Sequence, residues 1–424
     1  MIFADGFAAR KNHPHNLLSA MEPIRLLHFA DLHIGIENYG RLDPTTGLNG
    51  RVLDFLARLD EVVQYALEHE ADLVLFAGDA YKTRDPNPTY QRAFARRIKQ
   101  LTDAGIPVLL LVGNHDLPAM PQRASSVDIF HTLAVPNVYV GREEGVIRIP
   151  TRRGPVQVGV IPFPVRQRLL TQEEYRHASV EQIDEALRTV VSQIIQAMAR
   201  QLDPGIPAVL AAHLSVSGAM YGSERSVMIG RDAVILLSVL TDPAWDYVAL
   251  GHIHKHQSLH NGYPPVVYAG SLERIDFGEE KDLKGFCWVE LRRGETTWQF
   301  VEVNARRFVT ITADLREEDD PLAALRGSIA QHNIRDAVVR VQIRLRPEQE
   351  RLVRDTDIRP LLTDAAFIGA ITREVERKAR LRLGTVRPEE LTPPQLLERY
   401  LEAKEVPPER RRELLEAARE IFGE

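Results

Sequence analysis

Residues Leu73 to Asp79 read Leu-Val-Leu-Phe-Ala-Gly-Asp, a short apolar run that ends in a glycine and a carboxylate. Two further apolar runs of this kind stand at Ile24 to Ala30 and at Val108 to Val112. Helical patterns near Arg51 to His69 and Thr89 to Ala104 separate these runs. Strands that alternate with helices are typical of an α/β fold, which this part of the chain therefore predicts.

The next part of the chain continues the series of apolar strands and adds a helical stretch from Val180 to Ala199. The further strand candidates are Val156 to Ile161, Ala208 to Ala212, Tyr247 to Leu250, Val266 to Ala269, Phe286 to Leu291 and Trp298 to Val303. Alternating and crossover strands together predict a two-sheet core flanked by helices.

Near Asn304 the pattern changes to that of a small α+β domain followed by helices. The predicted elements are strands at Phe308 to Ala313, Val338 to Leu345 and Phe367 to Val375, a helix at Pro321 to Ala330, an Arg-rich link at Lys378 to Arg387, and amphipathic helices at Thr392 to Lys404 and Pro408 to Phe422. The predicted parts are a disordered extension (1–20), a catalytic domain (21–304), an α+β capping domain (305–380) and a linker with a helical pair (381–424). The extension has neither signal-peptide architecture nor a periodic pattern.

The bulk composition limits the classes of protein to be considered. A chain of 424 residues exceeds what one hydrophobic core usually supports, so we expect two or three compact units. No apolar run approaches the roughly 20 residues of a membrane-spanning helix, so we expect no membrane segment. The net charge of −6 counts mildly against binding of nucleic acid by electrostatics alone. The single cysteine, Cys287, suits a reducing cytoplasm and excludes a thiolate-rich metal site.

Polar side chains of the kind that bind metals follow five of the predicted strands. They are Asp31 and His33, then Asp79, then Asn114, His115 and Asp116, then His213, then His252 and His254. Since α/β folds place their sites at strand ends, these clusters predict one shared site. A single Asp or His at a strand end is more often a turn former, but five such clusters in order favour a metal site. Ligands without sulfur suit manganese, iron, zinc or magnesium.

The five clusters resemble the signature of the calcineurin-like metallophosphoesterases, which reads D-x-H, G-D, G-N-H-D, a lone His and G-H-x-H. Three narrower stretches are similar to the SbcD-type nuclease branch of that superfamily. They are residues 212–219 (AHLSVSGA), 251–257 (GHIHKHQ) and 270–280 (GSLERIDFGEE). The resemblance covers about Ile24 to Leu315. It implies a two-sheet metallophosphoesterase nuclease domain with a capping domain that binds DNA and a helical segment that docks a partner.

The same resemblance implies a role for each residue of the predicted site. The first of two divalent ions, expected to be manganese, would be held by Asp31, His33, Asp79 and His254, and the second by Asp79, Asn114, His213 and His252. Such ions clamp a phosphodiester between them and activate a water. His115 would stabilise or protonate the scissile phosphate, and Asp116 would fix the tautomer of His115 by a hydrogen bond. Arg274 is expected to bind substrate.

One departure from the family pattern follows Gly78 and Asp79. Many relatives carry another Asp or a His there, whereas this chain reads Ala80, Tyr81 and Lys82. Lys82 is predicted to contact the DNA backbone, and a solvated surface lysine is an equal alternative.

The function implied by the resemblance is manganese-dependent cleavage of DNA in repair, as an exonuclease on double-stranded ends and an endonuclease on single strands or hairpins. The implied partners are an SbcC-type ABC ATPase with a coiled coil, DNA, and a second copy of the chain, in the cytoplasm and associated with the nucleoid. ATP would bind the partner, since this chain has no G-x-x-x-x-G-K-[ST] loop.

Two other functions compete with this one. A calcineurin-like phosphatase or phosphodiesterase of small phosphoesters would keep the fold. Protein phosphatases of the superfamily, however, usually read G-D-x-x-D-R-G and G-N-H-E, whereas this chain has Lys82 and Asp116 at those places. A scaffold without activity is disfavoured because every ligand of the implied set is present.

Overall fold

The computed structural model describes most of the chain. The described residues are 22–118, 123–166, 175, 177–222, 232–376, 392–404 and 406–422. The predicted extension at 1–20 and the Arg-rich link at Lys378 to Arg387 lie outside them. The chain divides into two compact units. The first comprises the described residues within Met1–Thr310, Ile334–Val339 and Asp364–Gly369, and the second comprises those within Ile311–Asn333, Arg340–Thr363 and Ala370–Glu424. The predicted domain boundaries stay predictions.

Fifteen strands occur among the described residues. They are β1 (Ile24–Phe29), β2 (Leu73–Phe76), β3 (Val108–Leu111), β4 (Val138–Gly141), β5 (Gly145–Thr151), β6 (Gly154–Ile161), β7 (Ala208–His213), β8 (Tyr247–Gly251), β9 (Gln257–His260), β10 (Val266–Tyr268), β11 (Gly285–Leu291), β12 (Thr297–Glu302), β13 (Phe308–Asp314), β14 (Val338–Leu345) and β15 (Phe367–Val375). Two sheets have six strands each, in the orders β12-β11-β1-β2-β3-β4 and β5-β6-β7-β8-β10-β9. The predicted two-sheet α/β core is confirmed.

The described residues contain the six predicted helices and three short helices that were not predicted. They are α1 (Gly50–Glu68), α2 (Pro88–Asp103), α3 (Asp128–Thr132), α4 (Val180–Gln201), α5 (Leu237–Leu240), α6 (Pro321–Ala330), α7 (Asp355–Ile358), α8 (Pro393–Ala403) and α9 (Pro408–Phe422). Helix α4 begins with a capping box, in which Ser179 and Gln182 bond each other's backbone N–H. It buries Ile183, Leu187 and Val191, which lie one helical turn apart. No helix of the described residues is long and apolar enough to cross a membrane.

The core between the two sheets sets the position of the strand ends. Apolar side chains of both sheets form one buried cluster there, including Leu26, Leu75, Leu109, Val158, Val209 and Ala249. Strands β1, β2 and β3 run parallel, with Phe29 opposite Phe76 and Phe76 opposite Leu110. Strands β7 and β8 also run parallel. Parallel strands end at the same edge of their sheet, so the loops that follow them are neighbours.

Strands β13, β14 and β15 form a third sheet in that order. Strand β14 alternates buried and more exposed residues toward its end, which is typical of a sheet with one covered face. In the second unit, helices α8 and α9 pack on each other and bury Leu401 and Ala418. Tyr400 remains 47% exposed on this helical pair.

Candidate metal centre

The structure brings all seven predicted ligands into one site at the ends of β1, β2, β3, β7 and β8. These residues are Asp31, His33, Asp79, Asn114, His213, His252 and His254. All except the half-buried Asn114 are buried. The N–H of Asp31 donates to the carbonyl of Gly78 at 3.0 Å, and this bond joins the loop after β1 to the loop after β2.

Four of the ligands have left-handed backbone conformations. The φ angles are 51° for Asp31, 49° for His33, 66° for Asp79 and 97° for His252. Such conformations cost about 1 to 3 kcal/mol each in residues other than glycine, and they collect at functional sites. The chain therefore accepts backbone strain in order to direct these side chains.

Two glycines lie so close to the predicted ligands and their neighbours that a side chain at either position would overlap them. A Cβ atom on Gly113 would lie 2.2 Å from Oδ1 of Asp79. A Cβ atom on Gly251 would lie 2.1 Å from the carbonyl oxygen of Ala77 and 2.9 Å from Nδ1 of His213. The glycines of the G-N-H-D and G-H-x-H motifs are thus required by close packing around Asp79 and His213.

The donor atoms form two groups that share Asp79. In the first group, Nε2 of His33 lies 3.0 Å from Nε2 of His254 and 3.7 Å from Oδ2 of Asp79. Asp31 places a carboxylate oxygen within 4.8 Å of the donor atoms of both histidines. This group corresponds to the ligand set predicted for the first ion.

In the second group, Oδ1 of Asn114 lies 3.0 Å from Nε2 of His213 and 2.9 Å from Nδ1 of His252. Oδ2 of Asp79 lies 3.4 Å from Nε2 of His213. Two donors held about 2.1 Å from one ion lie about 3.0 Å apart at a right angle and about 3.4 Å apart at a tetrahedral angle. The observed separations therefore fit a divalent cation.

Hydrogen bonds on the far side of the histidines fix which nitrogen faces the site. Nδ1 of His213 lies 2.6 Å from the carbonyl of Ala77, and Nδ1 of His254 lies 2.9 Å from Glu279. Nε2 of His252 lies 2.7 Å from Asp232. Because these partners only accept, each of these nitrogens carries a proton, and the other nitrogen is the one that faces the site.

Asp232 and Glu279 were not predicted as site residues. Asp232 follows none of the recognised strand patterns, so no positional signal marks it. Glu279 lies within the stretch at 270–280 that carries the family resemblance, and its full burial is the property that sequence does not reveal.

The electrostatics of the site favour positive charge between the ligands. Burial raises the pKa of Asp31. Burial acts in the same direction on Asp79, but the positive charge of the neighbouring histidines, chiefly His213, holds the pKa of Asp79 below its usual range. Burial lowers the pKa of His213, but the Asp79 carboxylate outweighs this and raises it to about 9. A divalent cation supplies positive charge at the same place.

The predicted contact between His115 and Asp116 is wrong. Nδ1 of His115 donates to the carbonyl of Lys82 at 2.8 Å, which orients the ring and leaves Nε2 for other contacts. The Asp116 carboxylate is buried and accepts the backbone N–H groups of Asp79, Ala80 and Gly113 at 2.8, 3.0 and 3.0 Å. A carboxylate surrounded by three N–H donors is already satisfied, so it braces the loops and does not touch the imidazole.

Lys82 and Arg274 differ in what the structure offers for substrate binding. The Lys82 side chain is exposed, and its role in contacting DNA stays a prediction. The Arg274 guanidinium donates to the backbone carbonyls of Arg306 and Asp282 at 3.2 and 2.8 Å. This geometry does not support the prediction that Arg274 binds substrate, because both terminal nitrogens of the guanidinium donate to the protein's own backbone and its Nε is buried.

Comparison with known families agrees with this geometry. Residues 24–256 match the family described as calcineurin-like phosphoesterase. The chain belongs to the calcineurin-like phosphoesterase family. As a calcineurin-like phosphoesterase it is a hydrolytic enzyme, and the predicted fold class and enzyme class are confirmed.

Two curated relatives of this calcineurin-like phosphoesterase are named as the SbcD component of the nuclease SbcCD. The one from Bacillus subtilis is 27% identical over 289 residues, which are 66% of this chain and 69% of the relative. The one from Staphylococcus saprophyticus is 25% identical over 288 residues, which are 67% of this chain and 70% of the relative. The predicted resemblance to SbcD-type nucleases is confirmed.

Solved structures that match this chain include a dimetal phosphatase from Danio rerio and the protein TT1561 of Thermus thermophilus. The first is 12% identical with a TM-score of 0.39, and the match covers 66% of this chain and 97% of the phosphatase chain. The second is 14% identical with a TM-score of 0.38, and the match covers 66% of this chain and 99% of the TT1561 chain.

Proposed function

We propose that this chain is the nuclease component of an SbcCD-type complex and that it hydrolyses DNA phosphodiester bonds with two divalent metal ions. The observation that carries the proposal is the pair of donor groups that share Asp79, with the imidazole of His115 beside them. The two relatives are named as nucleases, which favours a nucleic acid as the substrate, and DNA is the one that we propose.

In this proposal Asp31, His33 and His254 hold one ion, and Asn114, His213 and His252 hold the other. Asp79 lies between the two groups and contributes to both. Bound divalent ions supply a nucleophilic water at neutral pH and neutralise charge on the phosphate. His115 lies close to His33, with ring centroids 4.8 Å apart, and its Nε2 holds or donates a proton at the leaving oxygen of the phosphodiester.

Manganese is the ion we propose, as the resemblance to SbcD-type nucleases implies, and the aspartate, asparagine and histidine ligands suit it as they also suit iron, zinc or magnesium. We propose exonuclease action on double-stranded ends and endonuclease action on single strands or hairpins. A calcineurin-like phosphatase or phosphodiesterase that acts on small phosphoesters is the second candidate, and it is consistent with the same donor geometry.

The partners proposed for this chain are DNA, a second copy of the chain and an SbcC-type ABC ATPase with a coiled coil. Helix α2 is the candidate for contact between copies. The helical pair α8 and α9 is the candidate for docking the ATPase, because part of its apolar stripe remains exposed. A complex of this kind acts on the nucleoid in the cytoplasm.

The proposal is tested by digestion of end-labelled duplex and hairpin DNA with manganese, beside p-nitrophenyl phosphate as a generic monoester. The Asp79→Ala variant, prepared in parallel, controls for contaminating nucleases. We expect the protein to cut DNA, to leave the monoester nearly untouched, and to lose DNA cleavage in the variant. Rapid turnover of the monoester with intact DNA would establish the second candidate instead.

A further inference from the structure

A buried ion pair lies behind His254 and outside the proposed reaction. Oε2 of Glu279 lies 2.8 Å from Nζ of Lys284, and both side chains are fully buried. Glu279 stands at the end of a short 3-10 turn (Phe277–Glu279), and Lys284 immediately precedes β11. Since neither charged group reaches solvent, neither can contact a DNA phosphate.

The ion pair holds His254 at two points. Oε1 of Glu279 accepts the proton of Nδ1 at 2.9 Å, which turns Nε2 toward the metal centre. Nζ of Lys284 donates to the backbone carbonyl of His254 at 3.2 Å and to Oγ of Ser271 at 2.8 Å. The ring and the backbone of this ligand are thereby fixed by one pair of opposite charges.

A buried pair of this kind costs desolvation free energy that a pair of apolar side chains would not cost. The presence of such a pair behind His254 therefore calls for a role at this predicted ligand. A carboxylate that accepts the remote N–H of a histidine sets the orientation and the basicity of that histidine toward a metal. Lys284 in turn fixes the carboxylate, because the lysine also bonds Ser271 and the His254 carbonyl.

We propose that Glu279 and Lys284 are positioning residues for the subsite of Asp31, His33 and His254, and that they set the cation affinity of this subsite separately from that of its neighbour. The proposal rests on the ligand assignment of the proposed function. The neighbouring subsite has a different support, because His252 is held by Asp232 and His213 by the carbonyl of Ala77.

The test measures manganese binding to the full-length protein without DNA. Glu279→Gln keeps the shape of the side chain and removes its charge. Since a lone buried Lys284 could prevent folding, the double variant Glu279→Gln/Lys284→Met removes both charges together. Matched controls are Glu280→Gln, whose carboxylate bonds the backbone and hydroxyl of Thr310, and the exposed Lys281→Met.

Binding is followed by titration calorimetry and by electron paramagnetic resonance, which separates a coupled manganese pair from a single ion. We expect the Glu279 variants to bind one ion about 10 to 100 times more weakly and the other with unchanged affinity. The spectrum should change from that of a pair to that of a single ion at limiting manganese. Both controls should bind as the unaltered protein does, and melting without metal should rank the stability of all variants.

Unchanged binding of both ions in the double variant would overturn the inference, and so would an equal loss at both subsites. Failure of the unaltered protein to bind two ions would overturn the inference together with the ligand assignment. If two ions bind and the variants behave as expected while DNA remains uncut, the inference stands and the nuclease proposal alone fails.

Discussion

The carboxylate of Asp116 accepts the backbone N–H of Asp79 at 2.8 Å. Asp79 is the residue shared by the two donor groups, and its φ angle of 66° lies in the left-handed region. Asp116 also accepts the N–H of Ala80 and of Gly113, so it joins the loops after β2 and β3. A residue expected to act on His115 therefore acts on the backbone that carries Asp79.

We predict that Asp116→Asn weakens both metal sites and lowers the free energy of unfolding by about 1 to 3 kcal/mol. The amide group of asparagine replaces one acceptor oxygen by a donor, so at least one backbone N–H faces another donor. Urea unfolding without metal and calorimetric titration with manganese measure the two effects. Asp128→Asn serves as the control, because the Asp128 carboxylate accepts the N–H of Ser125 and none from Asp79, Ala80 or Gly113. Normal binding of both ions in Asp116→Asn would show that the brace is dispensable.

Substitution of His115 should separate catalysis from metal binding. We predict that His115→Ala retains both ions and cuts DNA about 100-fold more slowly or worse, the scale of a positioned proton donor. The structural cost is small, because the bond of His115 to the Lys82 carbonyl lies at the surface. Metal content by mass spectrometry and cleavage rates on one DNA substrate check the prediction. A parallel loss of metal and activity would make His115 a ligand, as its closeness to His33 and Asp79 allows.

The sequence predicts the central strands because burial on both sides requires a continuous apolar run. Strands β4, β5 and β9 were not predicted, and each is an edge strand of its sheet. An edge strand is covered on fewer sides, so polar residues such as Arg148 in β5 are tolerated and the apolar run is lost.

The contacts of the site that the sequence did not predict were missed for a similar reason. The ligands follow predicted strands and could be found by position. Asp232 bonds His252, which lies 20 residues away along the chain, and Glu279 bonds His254, which lies 25 residues away. Only the folded structure reveals such pairs. The partner of Asp116 was wrong for the same reason, since three backbone N–H groups compete for its carboxylate and carry no signature in the side-chain sequence.

The buried His28 should make the protein sensitive to acid. Burial lowers the pKa of His28 from 6.5 to about 3. Between these two pKa values the unfolded chain binds a proton that the folded chain excludes. The contribution of His28 to the free energy of unfolding is therefore fully present above pH 6.5 and is lost as the pH drops toward 3. The contribution of this one residue is about 1.4 kcal/mol for each pH unit.

We predict that His28→Gln, which removes the titrating ring that bonds the hydroxyl of Tyr247, flattens this acid dependence. Urea unfolding of the metal-free protein between pH about 7 and about 5 gives the slope. The exposed His332→Gln should keep the slope of the unaltered protein. Equal slopes for all three proteins would mean that His28 does not carry the effect.

The helical pair α8 and α9 should dock the ATPase partner and contribute little to cleavage itself. The two helices bury Leu401 and Ala418, whereas Leu397 and Leu415 remain half-buried on the apolar stripe. We predict that removal of residues 392–424 leaves manganese-dependent cleavage nearly intact and abolishes co-purification with the ATPase.

Leu397→Asp combined with Leu415→Asp should copy this result, because each aspartate would be buried in an apolar contact without a partner. Arg412→Asp adds the same charge at an exposed position of α9 and should bind normally. Unchanged ATPase affinity after truncation would remove the docking role, and global unfolding of the truncated protein would instead make the pair a hairpin that stabilises the rest of the chain.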